Sequence, residues 1–394
     1  MKRKYHQSAL YVRKFILDRL CNDFCSSRSV KGLRNAQGAA QVTAGFVFYA
    51  PNVHTGGGFV LLRALLLTWP MSVPLIAVLD ARARNRLHLP KDAKVSWVVA
   101  STASRLAAEL SLRRMLSAGD IIFCFHGLPL LFSSAAQVVV FLQNRLYLES
   151  NLSSQYKWKT RLRLAFERFL SRAFRHRVSQ YIVQTPAMQR AVMQWLASLG
   201  QERAPVVKVM PFVDALPGPR EHINSAPEWD FVYAADGEAH KNHRVLLAAW
   251  QLLAQEGLRP SLALTLGSRD QALTRQIETA TMSAGLRITN LGQMPREDVL
   301  SLYASARAMI FPSTSESFGL PLVEAAHLGL PILASELDFV RDVCVPAQIF
   351  DPVSPVSIVR AVKRFMGQPE AKLRLCTPAE FWSELLQDGR PSAC

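Results

Sequence analysis

Two carboxylates, Glu316 and Glu324, stand eight residues apart in Ser313-Thr314-Ser315-Glu316-Ser317-Phe318-Gly319-Leu320-Pro321-Leu322-Val323-Glu324. The stretch falls between an apolar run at 308–311 that reads as a strand and a helix predicted from about 321 to 328, ended by Gly329. At such a junction the main-chain N–H groups of Ser317, Phe318, Gly319 and Leu320 lack helical partners and converge on one point. Together with the helix dipole they attract a phosphate. Gly319 lets the backbone approach a ligand closely, and Pro321 gives up only an N–H that would be unpaired anyway. Glu324, one turn into the helix, can accept two hydroxyl protons, as from a ribose. Glu316, upstream in the loop, can reach the group on the far side of the phosphates. Taken alone, Glu324 reads first as a complement to the helix dipole and Glu316 as a solvated loop residue; both on one frame read as a site.

The elements around this frame alternate. Strands are predicted at 230–234, 261–266, 287–291, 308–311 and 331–334, with helices at 242–255, 270–284 and 295–304 between them. Each crossover is long enough to demand a parallel sheet. The first half follows the same rule, with strands at 44–50, 75–79, 95–100, 121–125, 138–142, 180–184 and 206–212. Its first strand runs into a loop holding Gly56, Gly57 and Gly58 and then an apolar helix from Phe59. The four prolines Pro211, Pro217, Pro219 and Pro227 have the composition of a hinge. The expected organisation is a basic extension at 1–40, a Rossmann-like domain at 41–212, a hinge at 213–227, a second Rossmann-like domain at 228–376, and a crossover helix with tail at 377–394. The fold class is α/β, two Rossmann-like domains facing across a cleft, with ligands at the carboxyl ends of the strands.

Composition narrows the function. With 394 residues, 49% of them hydrophobic, the chain can bury two cores and is not a disordered polypeptide. A formal charge of +16 implies an acidic partner. Nucleic acid is not expected, because no recognition motif accompanies the charge. Six cysteines show neither a CxxC pair nor zinc-finger spacing and read as reduced thiols. Residues 1–14 are basic but lack the unbroken apolar core of a secretory signal, so none is expected there. The uncharged run 121–142 is long enough to span a bilayer, but its central His126, Gly127 and Pro129 read better as a loop between two buried strands.

The motif Ser315-Glu316-Ser317-Phe318-Gly319-Leu320-Pro321-Leu322-Val323-Glu324-Ala325-Ala326 resembles the E-x7-E signature of retaining nucleotide-sugar glycosyltransferases of family 4, often called group 1, which have the GT-B fold. Further similar stretches are the Gly56–Gly58 loop, Ala239-His240-Lys241-Asn242-His243, Thr265-Leu266-Gly267-Ser268 and Asn290-Leu291-Gly292-Gln293. Phe141-Leu142-Gln143-Asn144-Arg145 and Val183-Gln184-Thr185-Pro186 look like those of bacterial members that build surface polysaccharide or lipopolysaccharide. The resemblance covers most of 45–355. It implies that Glu324 holds the ribose and Glu316 contacts the donor sugar. The amides of Phe318 to Leu320 would hold the pyrophosphate, and Lys241 would neutralise the departing charge. Gly57, Gly58, Gly267 and Ser317 join the donor-binding set, and Gln293 lies in the segment that flanks the base.

Two positions depart from the family. Where members carry an arginine five residues before the lysine, this chain has Asp236, and Arg244 is the candidate replacement. Where many carry a histidine after the fifth strand, it has Gln143, and His126 is the nearest substitute. No metal cofactor is expected; the nucleotide sugar, UDP- or GDP-linked, is the substrate, and the acceptor is a glycan or a polyprenyl-linked glycan. The implied enzyme is a cytoplasmic retaining hexosyltransferase. The alternative is a catalytically weak donor-binding scaffold that partners another transferase. A dinucleotide oxidoreductase rests only on Gly56–Gly58, which lack the G-x-G-x-x-G spacing.

The stretch 157–175 repeats apolar residues at Trp158, Leu162, Ala165, Phe166, Phe169 and Ala173, with basic residues between. Two readings stay open. The helix packs its apolar face on the first domain and leaves a solvated basic back, or it docks on anionic lipid at the inner face of the plasma membrane, aided by the basic residues 1–40.

Overall fold

A computed structural model describes residues 45–70, 73–149, 156, 158–200, 205–214, 216, 226–368, 377 and 378. The expected basic extension, most of the hinge and the crossover helix lie outside the described residues.

Two parallel sheets organise the chain. The first has seven strands in the order β3-β2-β1-β4-β5-β6-β7: β1 (Phe46–Ala50), β2 (Ile76–Asp80), β3 (Lys94–Val98), β4 (Ile121–Cys124), β5 (Gln137–Phe141), β6 (Gln180–Val183) and β7 (Val206–Val209). Its helices are α1 (Gly56–Leu67), α2 (Thr102–Met115), α3 (Trp158–Phe174) and α4 (Pro186–Ser198). The second sheet has six strands, β10-β9-β8-β11-β12-β13. Those strands are β8 (Trp229–Tyr233), β9 (Leu262–Leu264), β10 (Ile288–Asn290), β11 (Ala306–Phe311), β12 (Ile332–Ser335) and β13 (Gln348–Phe350). With them run α5 (His243–Gln255), α6 (Gln271–Ala284), α7 (Arg296–Ala304), α8 (Leu320–His327), α9 (Asp338–Arg341) and α10 (Pro355–Phe365).

Apolar runs become strands here because both faces of each sheet are covered. Along β1, Val47 and Tyr49 enter one core with Ile122, Val140 and Val183, while Phe48 and Ala50 enter another with Phe59, Leu79 and Phe125. Alternate side chains thus serve opposite faces, and nothing in the strand needs to be polar. The run 121–142 divides into β4 and β5, adjacent and parallel, with Ile122 opposite Val138. Thr185 caps α4, accepting from Met188 N at 3.1 Å, with Pro186 in the first turn.

Of the two readings of 157–175, the packed apolar face is set aside. Helix α3 does not pack by its apolar stripe: Trp158, Leu162, Phe166 and Phe169 are 69%, 64%, 58% and 63% exposed. The inward side carries Leu164, Arg168 and Ser171 instead. Arg168 Nε donates to Leu146 O at 2.7 Å, and Glu167 hydrogen-bonds Tyr147. These polar anchors on the opposite side of the helix turn the stripe outward.

Candidate donor site at the strand-order reversal

In the second sheet the strand order reverses between β8 and β11, and the loops leaving these two strands open a crevice at their carboxyl ends. The loop after β8 ends in a 3-10 turn, Ala239–Lys241, followed by Asn242 in the left-handed region at φ 63°. That conformation, uncommon for a residue with a side chain, is held from both sides. Asn242 Nδ2 donates to Pro312 O at 3.0 Å and to Pro352 O at 2.7 Å. The two loops are stitched through His240 O, which accepts from Thr314 N at 2.8 Å and from Ser313 Oγ at 3.1 Å. Tyr233 OH donates to Lys241 O at 2.8 Å.

The stitching brings Lys241 Nζ to 2.6 Å from Glu316 Oε1, with Ser313 Oγ 2.8 Å from the same oxygen. Both side chains are largely buried, at 16% and 12% exposure. Burial opposes the lysine charge, but the carboxylates of Glu316, Asp236 and Glu238 outweigh it and hold the Lys241 pKa above its ordinary value. Beside this pair, the N–H groups of Ser317, Phe318, Gly319 and Leu320 donate to no acceptor among the described residues. Gly319 caps α8 at φ 75°, and a Cβ there would lie 3.1 Å from Leu322 Cδ1, so only glycine fits without strain.

Glu324 is buried, 5% exposed, and it is not free. Arg296 Nε donates to its Oε1 at 2.7 Å, and Arg296 Nη1 lies 3.1 Å from Asp214 Oδ2. Arg63 of α1 reaches the same Asp214 oxygen at 3.4 Å. Burial raises the Glu324 pKa, against the pull of Arg296. The sequence reading missed Arg296. Its one signal was an arginine opening a helix, where the dipole favours acids.

Gly267 and Gln293 meet at the ends of β9 and β10: a Cβ on Gly267 would lie 3.2 Å from Gln293 Oε1. Across the crevice, at the reversal of the first sheet between β1 and β4, Gly57 and Gly58 open α1. A Cβ on Gly57 would stand 4.0 Å from Leu320 Cδ2, and one on Gly58 would stand 3.1 Å from Gln143 Oε1. Gln143 Nε2 donates to Phe125 O at 2.7 Å, so this side chain ties the ends of β4 and β5 to the start of α1. His126 lies edge-on to Tyr49, ring centroids 5.0 Å apart, and burial lowers its pKa to about 4. Neither His126 nor Arg244 contacts the Lys241–Glu316 pair among the described residues; Arg244 is exposed at the start of α5.

The first domain also closes on the second beside Lys241. Ser315 Oγ donates to Glu149 Oε1 at 2.9 Å, Thr185 Oγ1 to Ser317 O at 3.3 Å, and Tyr156 OH stands 3.1 Å from His240 Nδ1. Among the described residues no group of three or more His, Cys, Asp or Glu side chains is arranged to hold a metal ion.

Two parallel sheets with their reversals facing one crevice define a GT-B chain. Sucrose-phosphate synthase from Thermosynechococcus elongatus superposes with a TM-score of 0.61 at 17% identity, over 82% of this chain and 90% of that one. HepE of Anabaena, solved in complex with UDP and glucose, superposes with a TM-score of 0.57 at 16% identity over the same shares. Residues 219–379 match the family model described as glycosyl transferases group 1. The O-antigen chain mannosyltransferase B of Escherichia coli is 35% identical over 133 residues, 33% of this chain and 34% of that relative. The match thus spans about a third of each protein's length.

Proposed function

We propose that the protein transfers a hexose from a nucleoside diphosphate sugar to a growing, lipid-linked bacterial surface glycan, with retention of anomeric configuration and without a metal cofactor. The observation that carries this reading is the juxtaposition, at the reversal of the second sheet, of a lysine held by a carboxylate with four main-chain donors that lack partners among the described residues. The open amides of Ser317 to Leu320 and the Lys241 ammonium take the diphosphate, which leaves with more negative charge than it brings. Glu324, fixed by Arg296, accepts from the ribose, and Glu316 faces the donor sugar. Gly267 and Gln293 border the base, and His126 stands on the acceptor side. The match to an O-antigen mannosyltransferase makes mannose the first sugar to try and the inner face of the plasma membrane the expected place of work.

The test combines thermal shift against UDP- and GDP-linked hexoses with transfer to a lipid-linked oligosaccharide, reading the product's anomeric configuration by NMR. Failure of every nucleotide sugar to raise the melting temperature refutes the reading, because a ligand that binds only the folded state stabilises it by RT ln(1 + L/Kd) at free ligand concentration L. Activity abolished by a chelator refutes its metal-independent part. A second reading, a donor-binding scaffold without efficient transfer, is favoured by Asp236, an acid whose charge acts on Lys241. Tight donor binding with no turnover on any acceptor would select it.

A further inference from the structure

We infer that α3 is an interfacial helix that docks the protein on an anionic lipid bilayer. At about 100° per residue, Trp158, Leu162, Ala165, Phe166, Phe169 and Ala173 form one continuous stripe. Arg161 and Arg172 border it on one side, Lys159 and Arg163 on the other, and all four cations are exposed. An apolar stripe with cations on both margins suits a lipid surface, where the rings enter the acyl boundary and the margins meet phosphate headgroups. The packing of the domain does not use the stripe, since Leu164, Arg168 and Ser171 hold the helix from its other side. No helix among the described residues is long and apolar enough to cross a membrane, so α3 lies on the surface rather than through it.

Charge selects the occupant. Residues 1–44 are predominantly basic, with nine Lys and Arg against two Asp, and would be repelled by the cations that border the stripe. A second copy of α3 would place the same margins against each other. Anionic lipid complements both the stripe and its rims; residues 379–394, with Phe381, Trp382, Leu385 and Leu386 and three acids against one Arg, are the competing cover within the chain, and the melting-temperature arm of the test below tells the two apart. The position fits as well: Trp158 begins α3 two residues after Tyr156, whose hydroxyl stands 3.1 Å from His240 Nδ1 beside Lys241. The stripe therefore starts at the crevice, where a membrane-borne acceptor would have to arrive.

The experiment is co-sedimentation of the full chain with vesicles of phosphatidylcholine alone and of phosphatidylcholine with phosphatidylglycerol, which needs no catalytic readout. The wild type is expected on the anionic vesicles. Trp158→Ser/Phe166→Ser/Phe169→Ser should lower partitioning at least about tenfold, and Lys159→Gln/Arg161→Gln/Arg172→Gln should remove the preference for phosphatidylglycerol. Both variants should keep the wild-type melting temperature, since the replaced groups face solvent. Equal binding of the triple serine variant and the wild type, or no binding by the wild type, overturns the inference. So does a large loss of melting temperature in the serine variant, which would mean that the stripe is packed. A dimer lost in that variant without a change in lipid binding would name a second copy as the occupant and also overturn it.

Discussion

Replacing Glu316 with glutamine should separate binding from transfer. Lys241 is engaged by Glu316 at 2.6 Å, and a diphosphate seated on the amides of Ser317 to Leu320 must share or take that ammonium. A phosphate on the other side of the ammonium would lie about 5 Å from the carboxylate, where two unit charges repel by ~3 kcal/mol at an effective dielectric of ~20. Salt and partial solvent access reduce this to ~1–2 kcal/mol. Glu316→Gln keeps the shape and a carbonyl oxygen for the lysine but removes the repulsion, so the free nucleoside diphosphate should bind about 5- to 30-fold tighter. Transfer should fall by about a hundredfold or more, because the charge facing the developing oxocarbenium is gone. Isothermal titration with UDP and GDP supplies the first number, and initial rates under donor saturation supply the second. If Glu316→Gln weakens diphosphate binding, the carboxylate is a structural anchor for Lys241, and the assignment of Glu316 to the sugar side fails.

Four further outcomes follow from the same geometry. Arg296→Met leaves Glu324 buried without its cation and should cost ~3 kcal/mol in urea denaturation; a loss below ~1 kcal/mol would show that the pair is solvated. Gly319→Ala forces a Cβ to 3.1 Å from Leu322 Cδ1 at φ 75° and should cost ~1–2 kcal/mol, while also weakening diphosphate binding through displaced amides. Buried His243, its pKa lowered to about 3 by burial and by the Lys241 charge, stays neutral in the folded state, while the unfolded chain takes up the proton below about pH 6.5. Stability is therefore lost as pH falls from about 6.5 towards 3, by ~2 kcal/mol at pH 5 for this residue, and His243→Phe should flatten that part of the denaturation profile. Asp236→Asn, which relieves an exposed acid close to Lys241, should tighten diphosphate binding without lowering the melting temperature.

What the sequence revealed, and where it stopped, follows from how far each feature depends on distant residues. Strands β1, β4, β5 and β11 were legible because a parallel strand covered on both faces must be apolar throughout, a property written in consecutive residues. The frame around Gly319 was legible for the same reason: the strand end, the glycine and the helix start are contiguous. Three-residue β13 was not assigned, since only Ile349 and Phe350 between Pro346 and Pro352 carry its signal. The Lys241–Glu316 bond joins residues 75 apart and exists because β8 and β11 are neighbours at the reversal. No local pattern contains that information. Arg296 was missed for a related reason, its partners Glu324 and Asp214 coming from other segments.

Helix α3 shows the limit most sharply. Periodicity establishes that a helix has an apolar face, and for most helices the inference that the face points inward is sound because a fold needs the area. Here the inward side is chosen by Arg168 and Glu167, whose partners Leu146 and Tyr147 lie on the turn after β5. A buried guanidinium requires acceptors, and once these are supplied by that turn the helix cannot also rotate its aromatic stripe into the core. The same anchoring sets Arg163 close enough to Glu238 to oppose the rise in that group's pKa caused by burial and by Asp236. The helix that presents the outward stripe therefore also contributes a cation to the acidic surroundings of Lys241. Loss of Arg163 should alter diphosphate binding while leaving the apolar stripe intact, whereas loss of Phe166 should do the reverse. A common effect of both on diphosphate affinity in the absence of lipid would mean that α3 acts on the crevice as a packed structural element and not through a separate cationic margin and apolar stripe.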